Sequence, residues 1–552
     1  MSLTLIAAIV LVFFGLGYVG YSRFLAKRLG LNDANPTPAC TMTDGVDFVP
    51  AKAPFLLGQH FSAIAAAGPI VGPILAGLAF GWLPALCWIV LGAIFIGAVH
   101  DFSSLVGSVR HRAGSVAQIV QEYVVQRAYT LFLAFIWFSL VYVITAFTDL
   151  TSSSFAEPVH GGGVATSSIL YLGLAVLMGV LMTRFNVPLK VLTPIFLLLV
   201  GMVIWIGPAI PIRFPQMFSI RPALVWDVIV LAYCFLASIL PIWLLLQPRG
   251  FLGGAFLYVS LLFGLVGLAI GGVRVQYPAF IGFVSGGGMP LFPMLFVTVA
   301  CGACSGFHGL VSSGTTSKQI AREGDCRPVG YGGMLLEGLV ALIALSTVMM
   351  LSPNDPVTKL SPDRIYAQGL ASFVQQFGIN ASFATAFVLL AFATFIFDTL
   401  DVATRLGRYI LQELFGWQGA WGRAGATLAT LALPAWFVTV NITDPAGNLV
   451  PAWRVFWTVF GTSNQLLAAL TLLGLTSWLR KSGKPFWFAV LPGLFMMGVT
   501  LWALGFLLKG WLAKGLVSAG SLLDPVGAAS LCLMALALTL LGEGVRVLRT
   551  GP

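Results

Sequence analysis

Long runs of apolar residues, each of roughly 18 to 25 residues, recur along the whole chain between short polar segments. A run of this length lets an α-helix cross the hydrocarbon core of a bilayer. The runs are continuous, whereas a transmembrane β-barrel requires alternating polar and apolar residues. The pattern predicts an all-α integral membrane protein with about fifteen transmembrane helices. They are placed at about residues 3–21, 58–80, 84–108, 128–149, 167–184, 188–208, 225–246, 251–271, 291–313, 330–352, 381–404, 423–440, 455–477, 486–508 and 526–545.

Two further segments, 115–126 and 364–378, are predicted to form amphipathic helices on the inner and outer side of the membrane, respectively. Composition agrees with lipid as the main solvent: 58% of the 552 residues are hydrophobic and only 9% are charged. Soluble domains carry about 25% charged residues. The net charge of +10 does not require a nucleic-acid partner, because basic residues accumulate in cytoplasmic loops of membrane proteins.

The distribution of basic residues predicts the orientation. With the amino terminus outside, 21 of the 29 lysine and arginine residues fall in inner segments and 8 in outer segments. This is the bias expected of membrane proteins. In the first apolar run the basic residues Arg23, Lys27 and Arg28 follow the run, which indicates a retained anchor rather than a cleaved signal peptide. The carboxyl terminus is then predicted to be cytoplasmic.

Two of the predicted spans contain helix breakers near their middle. The span 58–80 contains Gly68 and Pro69, and the span 225–246 contains Ser238 and Pro241. The two spans are five crossings apart and therefore run in opposite directions. This pattern predicts a five-plus-five inverted repeat that binds a solute at its broken helices. The alternative for each break is an ordinary proline kink.

Several ionisable residues lie inside apolar spans, where each costs on the order of 2.5–3.5 kcal/mol and is a candidate functional group. They form groups along the sequence: Gln59 with His60, His100 with Asp101, His308 with Ser312 and Ser313, Glu337 alone, and Asp398 with Asp401. Histidine titrates near physiological pH, which suits a proton carrier. His60 and His308 are the strongest candidates because each lies beside glycine-rich or broken backbone.

Other interpretations of these residues remain open from the sequence. His60, Asp101 and His308 could bind a metal ion, although no ligand spacing supports it, and the protein would then be a membrane-embedded metal or redox protein. No cofactor is predicted. Asp401 and Arg405 are four residues apart and are predicted to form a salt bridge on one helix face. Asp101 has an alternative partner in the basic loop that follows it, Arg110 or Arg112.

The same segments resemble the carbon starvation protein A family of membrane transporters. The resembling stretches, quoted from this sequence, are Gly58–Phe61 with Gly68–Pro73, Gly97–Phe102, Tyr233–Pro241 with Gln247–Arg249, Cys301–Thr316, Thr399–Arg408 and Phe460–Leu466. They occur in order from about 58 to 470, and the segment beyond about 480 shows little resemblance.

The resemblance implies a fold similar to the amino acid–polyamine–organocation transporters and uptake of peptides or pyruvate when preferred carbon sources run out. It also implies a location in the bacterial inner membrane. The substrate is then expected at Gln59, His60, Gly68, Pro69, Ser238 and Pro241, and a coupled proton or cation at Asp101, His308, Ser312, Ser313 and Asp398. The expected division is an anchor and loop at 1–57, repeats at 58–222 and 223–416, and additional helices at 417–552.

Overall fold

The computed structural model of the protein describes residues 2–44, 48–123, 126–215, 221–241, 243–440, 442–443, 449–515 and 525–549. These residues are almost entirely helical, with one antiparallel pair of two-residue strands, β1 (Ile442–Thr443) and β2 (Leu449–Val450). The helices of the first half are α1 (Leu3–Leu16), α2 (Ser22–Leu29), α3 (Pro38–Thr41), α4 (Ala53–Ile64), α5 (Gly68–Phe80), α6 (Trp82–Gly92), α7 (Ala98–Arg110), α8 (Val116–Tyr123), α9 (Gln126–Phe155), α10 (Gly161–Arg184), α11 (Leu189–Ile206), α12 (Pro222–Ile239) and α13 (Leu246–Ile270).

The helices of the second half are α14 (Leu291–Thr298), α15 (Gly306–Val311), α16 (Gly332–Met349), α17 (Pro362–Gln375), α18 (Ala381–Phe415), α19 (Gly419–Thr439), α20 (Ala452–Lys481), α21 (Trp487–Gly515) and α22 (Pro525–Arg549). Short π-helical segments join α1 to α2, α6 to α7 and the end of α15 to the following loop. The two predicted amphipathic helices are present as α8 and α17, although 124–125 lie outside the described residues.

Twelve helices within the described residues are long and apolar enough to cross a membrane, and the bent pair α4–α5 makes thirteen if it forms one span. These thirteen overlap thirteen of the fifteen predicted spans. The other two predicted spans, 291–313 and 423–440, correspond to the broken segment α14–α15 and to the 21-residue helix α19. The chain is therefore a multi-pass, all-helical membrane protein.

The first broken helix lies where the sequence predicts it. α4 ends at Ile64, α5 begins at Gly68, and the two helices are bent by 50°. Proline has no backbone N–H and is tolerated in the first turn of a helix, so Pro69 starts α5 instead of continuing α4. Ala65 is non-helical, with φ −81° and ψ 73°.

The second break differs from the prediction. Ser238 and Pro241 do not interrupt a span: α12 ends at Ile239, and the next helix begins only at Leu246. Pro241 thus terminates a helix, because proline cannot continue the hydrogen-bond ladder. The interrupted segment is instead α14–α15, which is non-helical from 299 to 305. The segment contains Gly302 and is followed at once by Gly306, the first residue of α15.

The two breaks pack directly against each other. A Cβ atom at Gly68 would overlap the Sγ atom of Cys301, and one at Gly72 would lie 2.5 Å from the carbonyl oxygen of Thr298. Glycine lets two backbones approach this closely, as it does at other membrane helix contacts. The close approach places α5 beside the end of α14, so the two helix breaks are neighbours.

We predict that Gly72→Ala destabilises the protein by ~1–3 kcal/mol, because the added methyl group has to displace backbone. The measurement is the midpoint of thermal unfolding in detergent. Gly498→Ala is the matched control: a Cβ at Gly498, also in a helix, meets nothing within 4 Å. Equal midpoints for the two variants would contradict the close packing of the breaks.

Candidate substrate and ion-coupling site

A buried cluster of four ionisable side chains lies beside the breaks; we call it the His308 cluster (His100, Asp101, His308 and Glu337). All four side chains are 0% exposed. The His308 Nδ1 atom lies 2.8 Å from Asp101 Oδ2, and its Nε2 atom lies 3.0 Å from Glu337 Oε2. The other oxygen of Asp101 lies 2.8 Å from His100 Nδ1. The cluster joins α7, α15 and α16.

The surroundings of His308 suit a shared proton, although its Nε2 atom makes no aligned hydrogen bond with Glu337. Each ring nitrogen faces a carboxylate oxygen, and a neutral imidazole donates from only one nitrogen. Either the ring carries a second proton or one of the two carboxyl groups is protonated. Two carboxylates around one imidazolium leave a net negative charge, which is costly in a low-dielectric interior. The cluster is thus suited to hold and release a proton.

His60 lies on α4 close to the first break and is 1% exposed. Its Nδ1 atom lies 2.9 Å from the Thr316 hydroxyl, and its Nε2 atom has no hydrogen-bond partner. The Nε2 atom of His100 is also buried without a partner. Buried polar atoms normally have a partner, so these two nitrogens are positions at which a water molecule or solute would be stabilised.

A second buried cluster forms on the other side of α4; we call it the Arg249 cluster (Arg249, Asp398, Asp401 and Tyr233). Arg249 is 0% exposed, and its Nη1 atom bonds Asp401 and the Tyr233 hydroxyl. Its Nε atom lies 3.3 Å from Asp398 Oδ1. The second oxygen of Asp398 accepts a 2.5 Å hydrogen bond from Ser62 on α4.

A small cavity of about 40 Å³ lies at α4 and is lined by Gln59, His60, Ser62, Thr316 and Asp398, among others. One water molecule needs at least about 10–15 Å³ of such space. The cavity therefore has room for a few water molecules and no larger solute.

Further cavities lead from this one toward the predicted inner side. A neighbouring cavity of about 40 Å³ shares Gln59, Thr315 and Gln319 with the first. It also shares Lys318 and Tyr409 with a cavity of about 560 Å³. The three cavities thus follow one another along shared lining residues from Asp398 to Lys318 and Tyr409.

The structure brings most of the predicted site residues together, but not all. Gln59, His60 and Asp398 line the small cavity, while Gly68 and Pro69 form the start of α5 at the break. Ser238 and Pro241 do not line it. The Ser238 hydroxyl lies 3.2 Å from that of Thr427 on α19, and its carbonyl accepts a bond from Arg408.

The remaining predicted site residues lie on α7, α15 and the turn after α15. Asp101 and His308 belong to the His308 cluster. The Ser312 hydroxyl is buried without a partner, while that of Ser313 bonds the carbonyl of Gly309 and the amide of Val116. Ser313 lines the large inner cavity.

The Asp401–Arg405 ion pair predicted from spacing, and the alternative pairing of Asp101 with Arg110, are absent from the described residues. Asp401 bonds Arg249, while Arg405 donates to the carbonyls of Ala237 and Leu240 at the end of α12. The i,i+4 prediction was wrong because the exposed carbonyls of a terminated helix are competing acceptors. Asp101 pairs with histidines, and Arg110 bonds Glu323 instead.

The metal interpretation finds no geometric support in the part of the chain that the structure describes. No group of three or more His, Cys, Asp or Glu residues there is arranged to hold a metal ion. Cys301 and Cys304 are free thiols, and the Cys301 sulfur lies 3.4 Å from the Asn464 side-chain nitrogen.

Sequence analysis missed Arg249 and assigned it to an inner loop. The only signal was its position in the resembling stretch Gln247–Arg249. In the structure it lies in the first turn of α13, fully buried. Arg405 and Arg408 were also counted as loop charges and are also buried. Their partners are distant in sequence, so spacing gives no indication of the pairing.

This arrangement, helices broken at a small polar cavity, is typical of membrane transporters, and the overall fold agrees. The structure resembles that of a manganese transporter of Eremococcus coleocola, with a TM-score of 0.50 and 13% identity, over 92% of this chain and 98% of that one. At this identity the likeness concerns the fold alone.

The sequence comparisons define the family. The sequence profile of carbon starvation protein CstA matches residues 1–363 and 353–503, and the chain belongs to this family. It is 33% identical to the peptide transporter CstA of Helicobacter pylori, over 89% of this chain and 80% of the relative. It is 30% identical to the pyruvate/proton symporter BtsT of Escherichia coli, over 91% of this chain and 81% of the relative.

We predict that Asp101→Asn destabilises the protein by ~3–5 kcal/mol, because it removes one partner of a buried charge pair. Thermal unfolding in detergent measures the effect. Glu122→Gln is the control: the Glu122 side chain is 60% exposed and lies 3.6 Å from His111, and exposed pairs contribute about 0–1 kcal/mol. An Asp101→Asn protein as stable as this control would contradict the charge pairing.

Proposed function

We propose that the protein is a secondary active transporter that imports peptides or pyruvate together with protons by alternating access. The observation that carries the proposal is His308, held between Asp101 and Glu337 with both ring nitrogens facing carboxylates. This cluster holds the coupled proton for part of its passage through the protein as the broken helices move. The names of the relatives, peptide transporters and a pyruvate/proton symporter, support the choice of substrates.

The proposed binding site lies at the small cavity between the two clusters. Gln59, His60 and Asp398 line it, and the breaks at Gly68–Pro69 and 299–305 pack nearby. Broken helices expose backbone groups and helix termini that bind small polar solutes at membrane depth. The chain of cavities toward Lys318 supports release to the inner side. Ser238 and Pro241 are not part of this proposal, and the repeat boundaries at 222 and 416 stay a prediction.

We also propose fifteen crossings with the amino terminus outside and the carboxyl terminus in the cytoplasm. Support comes from contacts between loops that are distant in sequence. Loops assigned to the inner side contact each other, as Arg110 does Glu323 and as Lys484 does the Leu29 carbonyl. On the outer side, the Leu3 amide bonds the Val273 carbonyl.

The same contacts support crossings by α14–α15 and α19. Before α14, the Gln276 amide donates to the Met349 carbonyl at the outer end of α16. After α15, the Gln319 carbonyl accepts from the amide of Ala51, which lies in an inner loop. For α19, the residues on its two sides contact opposite ends of α9. Glu413, before α19, accepts a bond from Tyr129 at the inner end of α9, and Trp453, after α19, donates to Asp149 near the outer end of α9.

The topology predicts which introduced cysteines react with a membrane-impermeant thiol reagent in intact cells. In a Cys40→Ser, Cys87→Ser background, Gly286→Cys and Arg454→Cys are expected to react from outside. Arg322→Cys and Trp421→Cys are expected to react only after permeabilisation. If α14–α15 or α19 did not cross, both members of the flanking pair, 286 with 322 or 421 with 454, would react from the same side.

Uptake into proteoliposomes of purified protein tests the proposed function. Symport of one pyruvate anion with one proton is electroneutral, so we expect accumulation driven by a pH gradient and unchanged by membrane potential. A zwitterionic dipeptide carried with one proton moves one net charge across the membrane. A membrane potential of 100 mV then supplies about 2.3 kcal/mol, which corresponds to roughly fifty-fold accumulation of the dipeptide.

The control is protein-free liposomes under the same gradients, with sodium gradients as a separate arm. Absence of uptake of both pyruvate and dipeptides would contradict the proposal, and accumulation driven by sodium alone would contradict proton coupling. Glu337→Gln is expected to abolish proton-driven accumulation because one of the two carboxylates that face His308 is lost.

A further inference from the structure

Arg249 is a fully buried guanidinium whose two sides are used differently. On one side, Nη1 bonds Asp401 and Tyr233, and Tyr233 itself donates to Asp401 at 2.8 Å. The aromatic rings of Tyr233 and Phe397 lie 5.6 and 5.4 Å from the guanidinium carbon. This side is fixed by several mutually supporting contacts.

The other side of the guanidinium is poorly satisfied. Nε has no aligned hydrogen bond, although Asp398 Oδ1 lies 3.3 Å away, and Nη2 has a single 3.4 Å contact with the Thr394 carbonyl. Nε and Nη2 form the edge of a guanidinium that binds a carboxylate through two parallel hydrogen bonds. A buried arginine with this edge unfilled is incompletely paired.

Asp398 separates this edge from the small cavity. Asp398 lines the cavity and Arg249 does not, although the next residue, Gly250, does. The second oxygen of Asp398 is held by Ser62 on the broken helix. A Cβ at Gly253, one turn after Arg249 on α13, would overlap Asp398 and lie 2.7 Å from the Ser62 hydroxyl. Gly253 therefore makes the space in which Asp398 sits.

Charge counting shows what would move Asp398. With both aspartates ionised, the cluster holds two negative charges and one positive charge, all buried. A proton on Asp398 leaves a neutral pair of Arg249 and Asp401 and removes the attraction between Asp398 and the guanidinium. The unfilled edge of Arg249 then becomes available to another carboxylate.

We propose that Arg249 binds the carboxylate of the transported solute, which takes the place of Asp398 when Asp398 is protonated. The inference rests on the proposed function and extends it: the substrate class is a molecule with a free carboxylate, such as pyruvate or a peptide with its carboxyl terminus. One proton and one carboxylate enter together. On release the carboxylate leaves, Asp398 loses its proton to the inner side, and the original pair re-forms.

Other ionisable groups surround Asp398 and contribute to the pH dependence. They are Arg249 on α13, Asp401 one turn along α18, the phenols of Tyr171 on α10 and Tyr233 on α12, and His60 on α4, which lines the same cavity. The tyrosines and Arg249 keep their protonation between pH 6 and 8. His60 is a further titratable group at this cavity, so the test compares proton numbers between variants rather than absolute slopes.

The experiment measures binding to the purified full-length protein by thermal stabilisation in detergent. The probes are pyruvate and alanyl-alanine, with methyl pyruvate and alanyl-alaninamide as analogues without a carboxylate. For wild type we expect stabilisation by the two carboxylates only. Arg249→Lys keeps the charge but loses the two-bond edge, and its apparent Kd is expected to rise at least tenfold.

Asp398→Asn mimics the protonated state and leaves Arg249 paired with Asp401, so it tests the proposal even if Arg249→Lys fails to fold. The pH dependence of its apparent Kd for pyruvate is expected to show that pyruvate binds together with one proton fewer than in wild type. In proteoliposomes it is expected to exchange pyruvate across the membrane but not to accumulate it under a pH gradient. Arg364→Lys is the control, since Arg364 pairs with a carboxylate, Glu157, on the outer side.

The outcomes separate this inference from the proposed function. Equal binding of methyl pyruvate and pyruvate, an unchanged Kd in Arg249→Lys, or a wild-type proton number in Asp398→Asn would each overturn the role of Arg249 and leave transport intact. A wild-type protein that neither binds nor transports any of the carboxylate probes would overturn both.

Discussion

Pairing of charge inside the bilayer is the constraint on which the rest of this structure depends. The Arg249 cluster places two carboxylates around one guanidinium, the His308 cluster places two carboxylates around His308 with His100 against one of them, and both are shielded from water. An unpaired charge in such a place is costly, so neither cluster reaches neutrality without an added proton. Helix α4 lies between them and contributes His60 and Ser62. The helix that forms the first break thus packs close to both groups of buried charge.

The breaks themselves persist because other helices bind their exposed backbone. On α20, Asn464 accepts a 2.9 Å hydrogen bond from the Phe307 amide, and Gln465 donates to the Phe296 carbonyl. Trp88 donates to the Val299 carbonyl at 3.0 Å. Freed backbone groups at membrane depth need such partners. The late helix α20 is therefore a structural support of the central site, although it lies far along the chain from α14.

The sequence predicted features that depend on local composition and could not predict those that depend on distant partners. Apolar runs located thirteen spans, and Gly68-Pro69 located the first break, because hydropathy and proline stereochemistry act over a few residues. The segment Ser238–Pro241 has the same kind of helix-breaking residues as Gly68-Pro69, yet it ends a helix. The difference lies in the residues that pack around each segment. Arg249 appeared to be a loop charge. Its burial depends on Asp398 and Asp401, about 150 residues later, which no local pattern encodes.

The N-terminal helix has an unusual position in the order of assembly. Its first residues Thr4 and Leu3 bond the carbonyls of Leu268 and Val273, and the helix that continues it ends at Leu29, whose carbonyl accepts from Arg110 and Lys484. At a synthesis rate of about 5–20 residues per second, Lys484 emerges roughly 20–90 seconds after Leu29. During that interval the contacts with Arg110, Leu268 and Val273 can form, but the bond from Lys484 to the Leu29 carbonyl cannot. The contacts of this helix are thus completed only after α20 has been made.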